Sequence, residues 1–574
     1  MVRHLAIITS EDAFEGIICP GAFKDRPRLV QTAQKYLPHL HQLLKWEVIS
    51  QANAWQLVFC SSYFAVPKDA NLDRAIFNGR RLSTNFLCPP SVGIADIALV
   101  NKRFSELVNP ASPPDDDDSN TTPGSRRVYG FTADFRHFFH QIPVLEKLRG
   151  YFGLISDGEV FTWNSLPMGW SWSPLLAQCV GWSLLCGRFC NEEALFDEAC
   201  MRDGALPAFV PLKADPGFAT LYYDNVLVVG TSAKHIQAIK ERLIRNMRLC
   251  GKFPTNETIK ELTTFGPRDH HLEYLGCEYW LRRQRDRAGK ESWTLQWRAV
   301  EKNLPKGEVW SAPTTARGTA RRIGKSLYRW LLEDRPLVGN SRAERVLHLL
   351  QRLSIEGRHD WDAAFACGPE DLDLLEECRL ELMRNEWISR SRGTARIFFI
   401  ADASTSIGYG YFLVDTVTGS LVKVFSSTWP AGMSDMHIFY LEVFAALMGL
   451  QCARRLYPDE KTFGLLTDNT AAAGALRRGY SSSNIALRWM KEYGYLSYDA
   501  EVYTVPSAKN MADPLSRLHP TAINLPDLLS QIDELRQGRR GAEIPGALHT
   551  FTGTQRHPEP VDDIWEDLLD EIEQ

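Results

Sequence analysis

Short β-rich runs bounded by turn residues fill two separate stretches of the chain. In the first lie Leu57-Val58-Phe59, Tyr63–Val66, Phe131-Thr132-Ala133, Ala219–Tyr222, Val226–Val229 and Leu272–Cys277. Helical patterns are expected from Pro174 to about Leu185 and over the amphipathic His235–Leu249. In the second stretch strands are expected at Arg396–Ala401, Gly408–Phe412, Gly464–Thr467 and Val502–Val505. Helices are expected around Tyr440–Leu447 and from Thr470. Residues 1–54 mix helix-like pieces without a chemical signature, and 281–394 read as helical and basic. The pattern predicts a multidomain chain of α+β and α/β character.

Acids fall at the ends of these elements. Two strand runs flank Asp224-Asn225, which predicts a tight hairpin with both polar residues at its tip. Turn preference alone explains that pair; a carboxylate held by two strands also suits a metal ligand. Asp134 ends another apolar strand, and the aromatic residues Phe135, Phe138 and Phe139 follow it. Leu166-Pro167-Met168-Gly169 precedes a helix, and its Pro-x-Gly turn lets the backbone approach a ligand closely. Lys68, Arg74, Arg80 and Arg81 read as a solvated edge or as holders of a triphosphate, to which arginine offers paired donors. Asn256 and Lys260 lie in the turn after His235–Leu249.

Farther along, Asp402 and Asp468 each end a strand, Glu442 is one acid inside an apolar helix, and Asp513 stands near a terminal helix. Singly these are caps or surface charges; together they suggest a two-metal nuclease site. Arg317, Arg321, Arg322, Lys325, Arg329, Arg342 and Arg345 are interleaved with Tyr328 and Trp330. That mixture suits a sugar-phosphate backbone and unpaired bases, or a solvated helix face. Asp115–Asp118 lie in a Pro-, Ser- and Thr-rich stretch and read as a solvated loop, because adjacent free carboxylates repel. A polar insertion over 190–217 is expected to lengthen the spacing between motifs without touching the chemistry.

The basic stretch, the strand ending at Asp134, Leu-Pro-Met-Gly, Tyr222-Tyr223-Asp224-Asn225 and Tyr274-Leu275-Gly276 resemble, in that order, the motifs of reverse transcriptases. The order and spacing of Asp402, Glu442, Asp468 and Asp513 resemble ribonuclease H. The phrase Ala512-Asp513-Pro514-Leu515-Ser516-Arg517 looks like the retroelement form of that domain. The resemblance implies a right-hand polymerase, with fingers and palm at 55–280 and thumb and connection at 281–394. A ribonuclease H-like domain at 395–520 would follow, between an N-terminal extension (1–54) and an acidic C-terminal tail (521–574).

The activity so implied is that of an RNA-directed DNA polymerase and RNA–DNA hybrid ribonuclease. Mg2+ is the implied cofactor, two ions per site, with Mn2+ as a substitute. RNA template, DNA primer, RNA–DNA hybrid and deoxynucleoside triphosphates are the implied partners. Asp134 and Asp224 take the palm's metal-ligand roles, whereas Asn225 stands where the family keeps a third carboxylate. An amide supplies oxygen but no charge, so a nucleic-acid-binding scaffold with a silenced polymerase site is the rival reading. Asp402, Glu442, Asp468 and Asp513 take the four nuclease roles. Lys68 and Arg74 match triphosphate-binding positions, and Phe139 matches the aromatic that excludes a ribose 2′-hydroxyl. Met168, beside Gly169 in the nucleotide-binding loop, replaces a usual glutamine. Lys260, Arg317, Arg321, Arg322 and Lys325 are the implied nucleic-acid contacts. Thr504 stands where relatives often carry a histidine, which implies altered product release. The chain shows no Asp-Thr-Gly or Asp-Ser-Gly protease motif and no zinc-bearing integrase segment. It therefore resembles most the separately encoded products of tyrosine-recombinase (DIRS-like) retrotransposons.

Composition sharpens this in three ways. At 574 residues several domains are expected, and a net charge of -5 means that any basic surface is local. The 12 cysteines are scattered with no Cys-x-x-Cys pair, as for reduced thiols of an intracellular protein, cytoplasmic or nuclear. No secretory signal and no apolar run of about eighteen residues is evident, so no membrane partner is expected. Past about 538 the chain is rich in Gly, Pro and acids; Trp565, Leu568 and Leu569 fit either disorder or a helix that docks a protein partner.

Overall fold

The computed structural model describes residues 2–536 apart from 25–27, 68–72, 91, 109–126, 190–191, 205, 251–258, 263–271, 286–290, 334–340, 357–360, 390–394, 431, 461, 480, 482 and 494–498. Lys68, Asn256, Asp115–Asp118, the side chain of Lys260 and the tail beyond 536 therefore lie outside the described residues. The chain divides into two compact units, one of Met1–Ala95 with Gly124–Leu275, the other of Asp96–Pro123 with Gly276–Gln537.

The first unit centres on a five-stranded antiparallel sheet. Its strands are β1 (Tyr129–Asp134), β2 (Phe209–Pro211), β3 (Phe218–Tyr222), β4 (Asn225–Gly230) and β5 (Ile259–Leu262), in spatial order β5-β1-β4-β3-β2. Lys260 is set opposite Thr132. Two helices, α1 (Ser173–Cys186) and α2 (Ala233–Leu249), pack on each other and on this sheet. Helix α1 is apolar on nearly every side and is buried throughout, whereas α2 is amphipathic and buries only Ile236, Ile239, Leu243 and Met247 among its apolar residues.

Residues 1–54 are part of this unit's core rather than an appendage. Ile7, Ile8, Phe14, Leu40 and Leu43 join the buried cluster that holds Trp163, Trp170 and Trp182. Strand Ile49–Gln51 pairs with Glu159–Trp163. The strand expected at Leu57–Phe59 begins only at Cys60, because Asn53 and Gln56 form a capping box around a 3-10 turn at Ala54–Gln56. The 190–217 insertion also has structure: it supplies β2, and the buried Asp215 accepts hydrogen bonds from the Gly217, Thr231 and Ser232 N–H groups.

The second unit holds helix Ile97–Val108, an antiparallel hairpin Cys277–Arg285/Glu291–Ala299, and three helices. These are α3 (Ala316–Leu332), α4 (Ser341–Glu356) and α5 (Pro369–Arg384). The expected helical span thus starts with strands. A second sheet follows, of β6 (Ile397–Ala403), β7 (Gly408–Asp415), β8 (Ser420–Thr428), β9 (Thr462–Thr467) and β10 (Asp499–Thr504). Its order is β8-β7-β6-β9-β10, antiparallel across β8/β7/β6 and parallel across β6/β9/β10.

Strand β6 is buried on both faces. Ile397, Phe399 and Ala401 meet α6 (Ile438–Leu456), while Phe398 and Ile400 share a core with the last helices. The other helices of this layer are α7 (Thr470–Arg478), α8 (Asn484–Glu492), α9 (Asp513–Ser516) and α10 (Leu525–Arg536). Helix α10 was expected within the acidic tail, but its Leu528 and Ile532 are buried against the sheet core, so the folded unit runs to Arg536.

Candidate active sites

Three acids converge at the centre of the second sheet. Asp402 is near the end of β6, Asp468 follows β9 on the adjacent parallel strand, and Glu442 projects from α6. Their ligand oxygens all lie within 4.8 Å of one another. Asp402 and Glu442 are only 4% and 5% exposed. Burial, reinforced by the charges of Asp468 and Asp513, pushes the Asp402 carboxyl up to about 7, and the Ser516 hydroxyl opposes this. Burial, then Asp402 and Asp468, pushes Glu442 up to about 9, against the Ala403 N–H and the Thr467 hydroxyl. Asn510 fixes the group: its Nδ2 donates to Asp402 Oδ1 at 2.8 Å, and its Oδ1 accepts from the Ala512 N–H. Trp429 donates from Nε1 to the Ser404 carbonyl, holding the turn that follows Asp402.

Asp513 stands apart from the other three. It begins α9 close enough to raise the Asp402 pKa, but Arg517 one turn later engages its carboxylate at 2.8 Å. The expected quartet is thus a triad with a fourth acid paired to arginine.

In the first unit the hairpin tip differs by one residue from expectation. Tyr223-Asp224 form the two-residue turn, and Asn225 is the first residue of β4. Tyr223 takes φ +50, the left-handed region such turns need. Asn225 sits opposite Asp134 in the β4/β1 ladder, so their side chains share one face. The Asn225 amide donates to Asp224 Oδ1 at 3.1 Å, and the Phe135 N–H donates to the Asp224 carbonyl at 2.8 Å. Asp134, Asp224 and Asn225 are therefore brought together. Gln178 of α1 clamps the turn, donating to the Leu221 carbonyl at 2.8 Å and accepting from the Tyr223 N–H at 2.9 Å. Beside the site, Phe139 lies 6.4 Å from the Tyr223 ring, and His137, with φ +53, caps the short Phe138–Gln141 helix.

No family model matches the chain, and neither does any curated protein. Among solved structures it is similar to a foamy viral protease-reverse transcriptase (dRH) in complex with double-stranded DNA, at 14% identity and TM-score 0.41, covering 85% of this chain and 73% of that one. A foamy viral protease-reverse transcriptase in complex with dsDNA gives 13% and 0.41, covering 86% and 87%. The complex with an RNA/DNA hybrid gives 14% and 0.44, covering 88% and 59%. Likeness this distant assigns no activity.

The Leu166–Gly169 loop is held by backbone contact. Gly169 has φ +110, and a Cβ there would sit 2.0 Å from the Phe77 carbonyl; the Phe77 N–H donates to the Met168 carbonyl at 3.0 Å. Arg74 lies on the adjoining Asp73–Phe77 strand. The basic residues of α3 are mostly tied within their own unit. Arg322 donates to the Val309, Trp310 and Ala312 carbonyls, Arg317 pairs with Asp362, and Lys325 pairs with Glu308. Arg322 thereby holds the 309–312 segment against α3, while Arg321 is exposed. Every described cysteine is a free thiol, and none of the described helices is long and apolar enough to cross a membrane.

Gln178, Asn510 and Trp429 carry no chemical signature in sequence.

Proposed function

We propose that this protein is an RNA-directed DNA polymerase with ribonuclease H activity, of retroelement origin. The observation that carries the reading is the Asp402–Glu442–Asp468 triad, whose oxygens crowd within 4.8 Å in a largely buried setting. Three hard oxygen donors fit Mg2+ or Mn2+, and burial, with the neighbouring acids, raises Asp402 and Glu442. Divalent ions held there would supply the charge that stabilises in-line phosphoryl transfer. Asn510 orients Asp402, and the Thr467 hydroxyl, 3.5 Å from Glu442 Oε2, orients Glu442. Asp513 supplies a further carboxylate at the rim, released when Arg517 turns to a backbone phosphate.

In the first unit Asp134 and Asp224 would hold the polymerase metal, with the Asn225 amide oxygen as a neutral third donor. Phe139 beside the hairpin favours deoxynucleotides over ribonucleotides. Lys68, Arg74, Met168 and Gly169 would receive the triphosphate. The retroelement origin belongs to this reading on the strength of the Ala512–Arg517 phrase. A silenced polymerase on a working nuclease is the second reading, and the Asn225-to-Asp224 hydrogen bond favours it, since the amide donates where a carboxylate would bind metal.

Primer extension on RNA and cleavage of an RNA–DNA hybrid, measured in parallel, separate the readings. Extension lost in Asp224→Ala and hybrid cleavage lost in Asp402→Asn establish both activities. Cleavage without extension in the wild type leaves the nuclease alone, and absence of both overturns the proposal.

A further inference from the structure

The hairpin Cys277–Arg285/Glu291–Ala299 has two chemically distinct faces. Facing pairs in an antiparallel ladder lie on the same side. Tyr279/Trp297 and Leu281/Leu295 are buried, whereas Trp280/Gln296 and Arg282/Thr294 face outward, Arg282 exposed and the others half-buried. Glu278/Arg298 share that side of the ladder, Glu278 buried and Arg298 half-buried.

A second tryptophan is delivered to the same face from a distant part of the chain. Ile388 exchanges both backbone hydrogen bonds with Trp297, at 2.8 and 2.9 Å, and Asn385 Nδ2 donates to the Ala299 carbonyl at 3.0 Å. Residues 385–388 are thus fixed alongside the hairpin. Ile388 opposes the inward-facing Trp297, which leaves Trp387 on the outward side. There its ring centroid is 5.5 Å from that of Trp280, and the Arg298 guanidinium lies 4.3 Å over it. Glu278 pairs with Arg298 and steadies it.

Two indoles, a stacked guanidinium, an amide and a free-reaching arginine on a solvent-facing sheet are a poor way to finish a surface. They are the side chains that accept planar, anionic partners. Arg282 adds an exposed positive charge to that face.

We propose that this face binds an unpaired nucleic-acid strand, bases stacking on Trp280 and Trp387 and phosphates drawn to Arg282. Stacking tolerates any base, so the face recognises single-strandedness and not sequence. The assignment is independent of both acid sites, and its test runs in EDTA, where metal chemistry is silent.

The probe is fluorescein-labelled oligothymidylate of about ten nucleotides, read by anisotropy, with a duplex of equal length as comparison. Trp387→Ala and Trp280→Ala should each weaken oligothymidylate binding about tenfold while leaving the duplex within about twofold. Trp280→Phe, which keeps a stacking ring, should stay within about threefold of wild type. Arg282→Glu, at an exposed site that cannot disturb the core, should weaken the same probe and lower the salt slope by about one unit or more. Unchanged oligothymidylate binding in Arg282→Glu and in either folded tryptophan variant overturns the proposal. Equal loss on single strand and duplex overturns it too, by making the face a general phosphate contact.

Discussion

At the scale of single residues, burial and mutual proximity govern Asp402, Glu442 and Asp468. Glu442 holds its proton up to about pH 9 in the folded state, against an ordinary value of 4.5. Between those values the folded chain binds more protons than the unfolded one, so stability falls as pH rises. Asp402, raised to about 7, acts in the same direction over a lower window. In EDTA the thermal midpoint should therefore fall between about pH 5 and pH 9. Glu442→Gln should flatten that slope and raise the midpoint at the alkaline end. Mg2+ should restore stability in the wild type and much less in the variant. A wild-type midpoint flat across this range, by calorimetry, contradicts the crowding. The sequence announced the acids because each ends a strand or sits alone in an apolar helix. It was silent about Asn510 as the orienting partner and about Arg517 as the partner of Asp513, since hydrogen bonds between distant segments leave no periodic trace.

Elements form where local signals and tertiary packing agree, and shift where packing prevails. Helix α7 starts at Thr470 as expected because Asn469 caps it, accepting from the Ala472 N–H at 2.9 Å. The hairpin tip moved by one residue because turn preference favours Asp-Asn, whereas Gln178 pins the Tyr223 N–H and the Leu221 carbonyl. Helix α10 was missed because its acids, Asp527, Asp533 and Glu534, read with the charged tail. Its apolar side nonetheless completes the core beneath β6 and β7. Leu528→Ala should cost about 2–5 kcal/mol of stability in that unit, measured by denaturant unfolding. A loss of a few tenths would mean that α10 is a dispensable appendage.

Over the whole molecule, what escaped a linear reading is that each unit is discontinuous. Helix Ile97–Val108 belongs with segments more than a hundred and fifty residues later: Phe104 packs 5.3 Å from Tyr279, whose hydroxyl hydrogen-bonds Asn101 at 2.8 Å. Its Lys102 also meets Glu501 of β10 at 3.4 Å. Glu501 takes further contacts from Arg536 at 3.2 Å, the Tyr503 hydroxyl at 2.6 Å and the Ala395 N–H at 2.8 Å. Burial would raise this carboxyl, yet Lys102 and Arg536 together hold it below its usual range. Glu501→Gln leaves two half-buried cations without their anion and should cost about 2–3 kcal/mol. Unfolding of Glu501→Gln at an unchanged denaturant midpoint would show the knot to be neutral.

The same knot sets an order in time. A ribosome adding about 5–20 residues per second makes Lys102 roughly 20–80 seconds before Glu501 exists. For about the first half of that interval Phe104, buried in the finished protein, has no Tyr279 to pack against, and Lys102 waits the whole of it for Glu501. The early helix is a debtor to the later hairpin, and the nascent chain carries a sticky flank until that hairpin emerges.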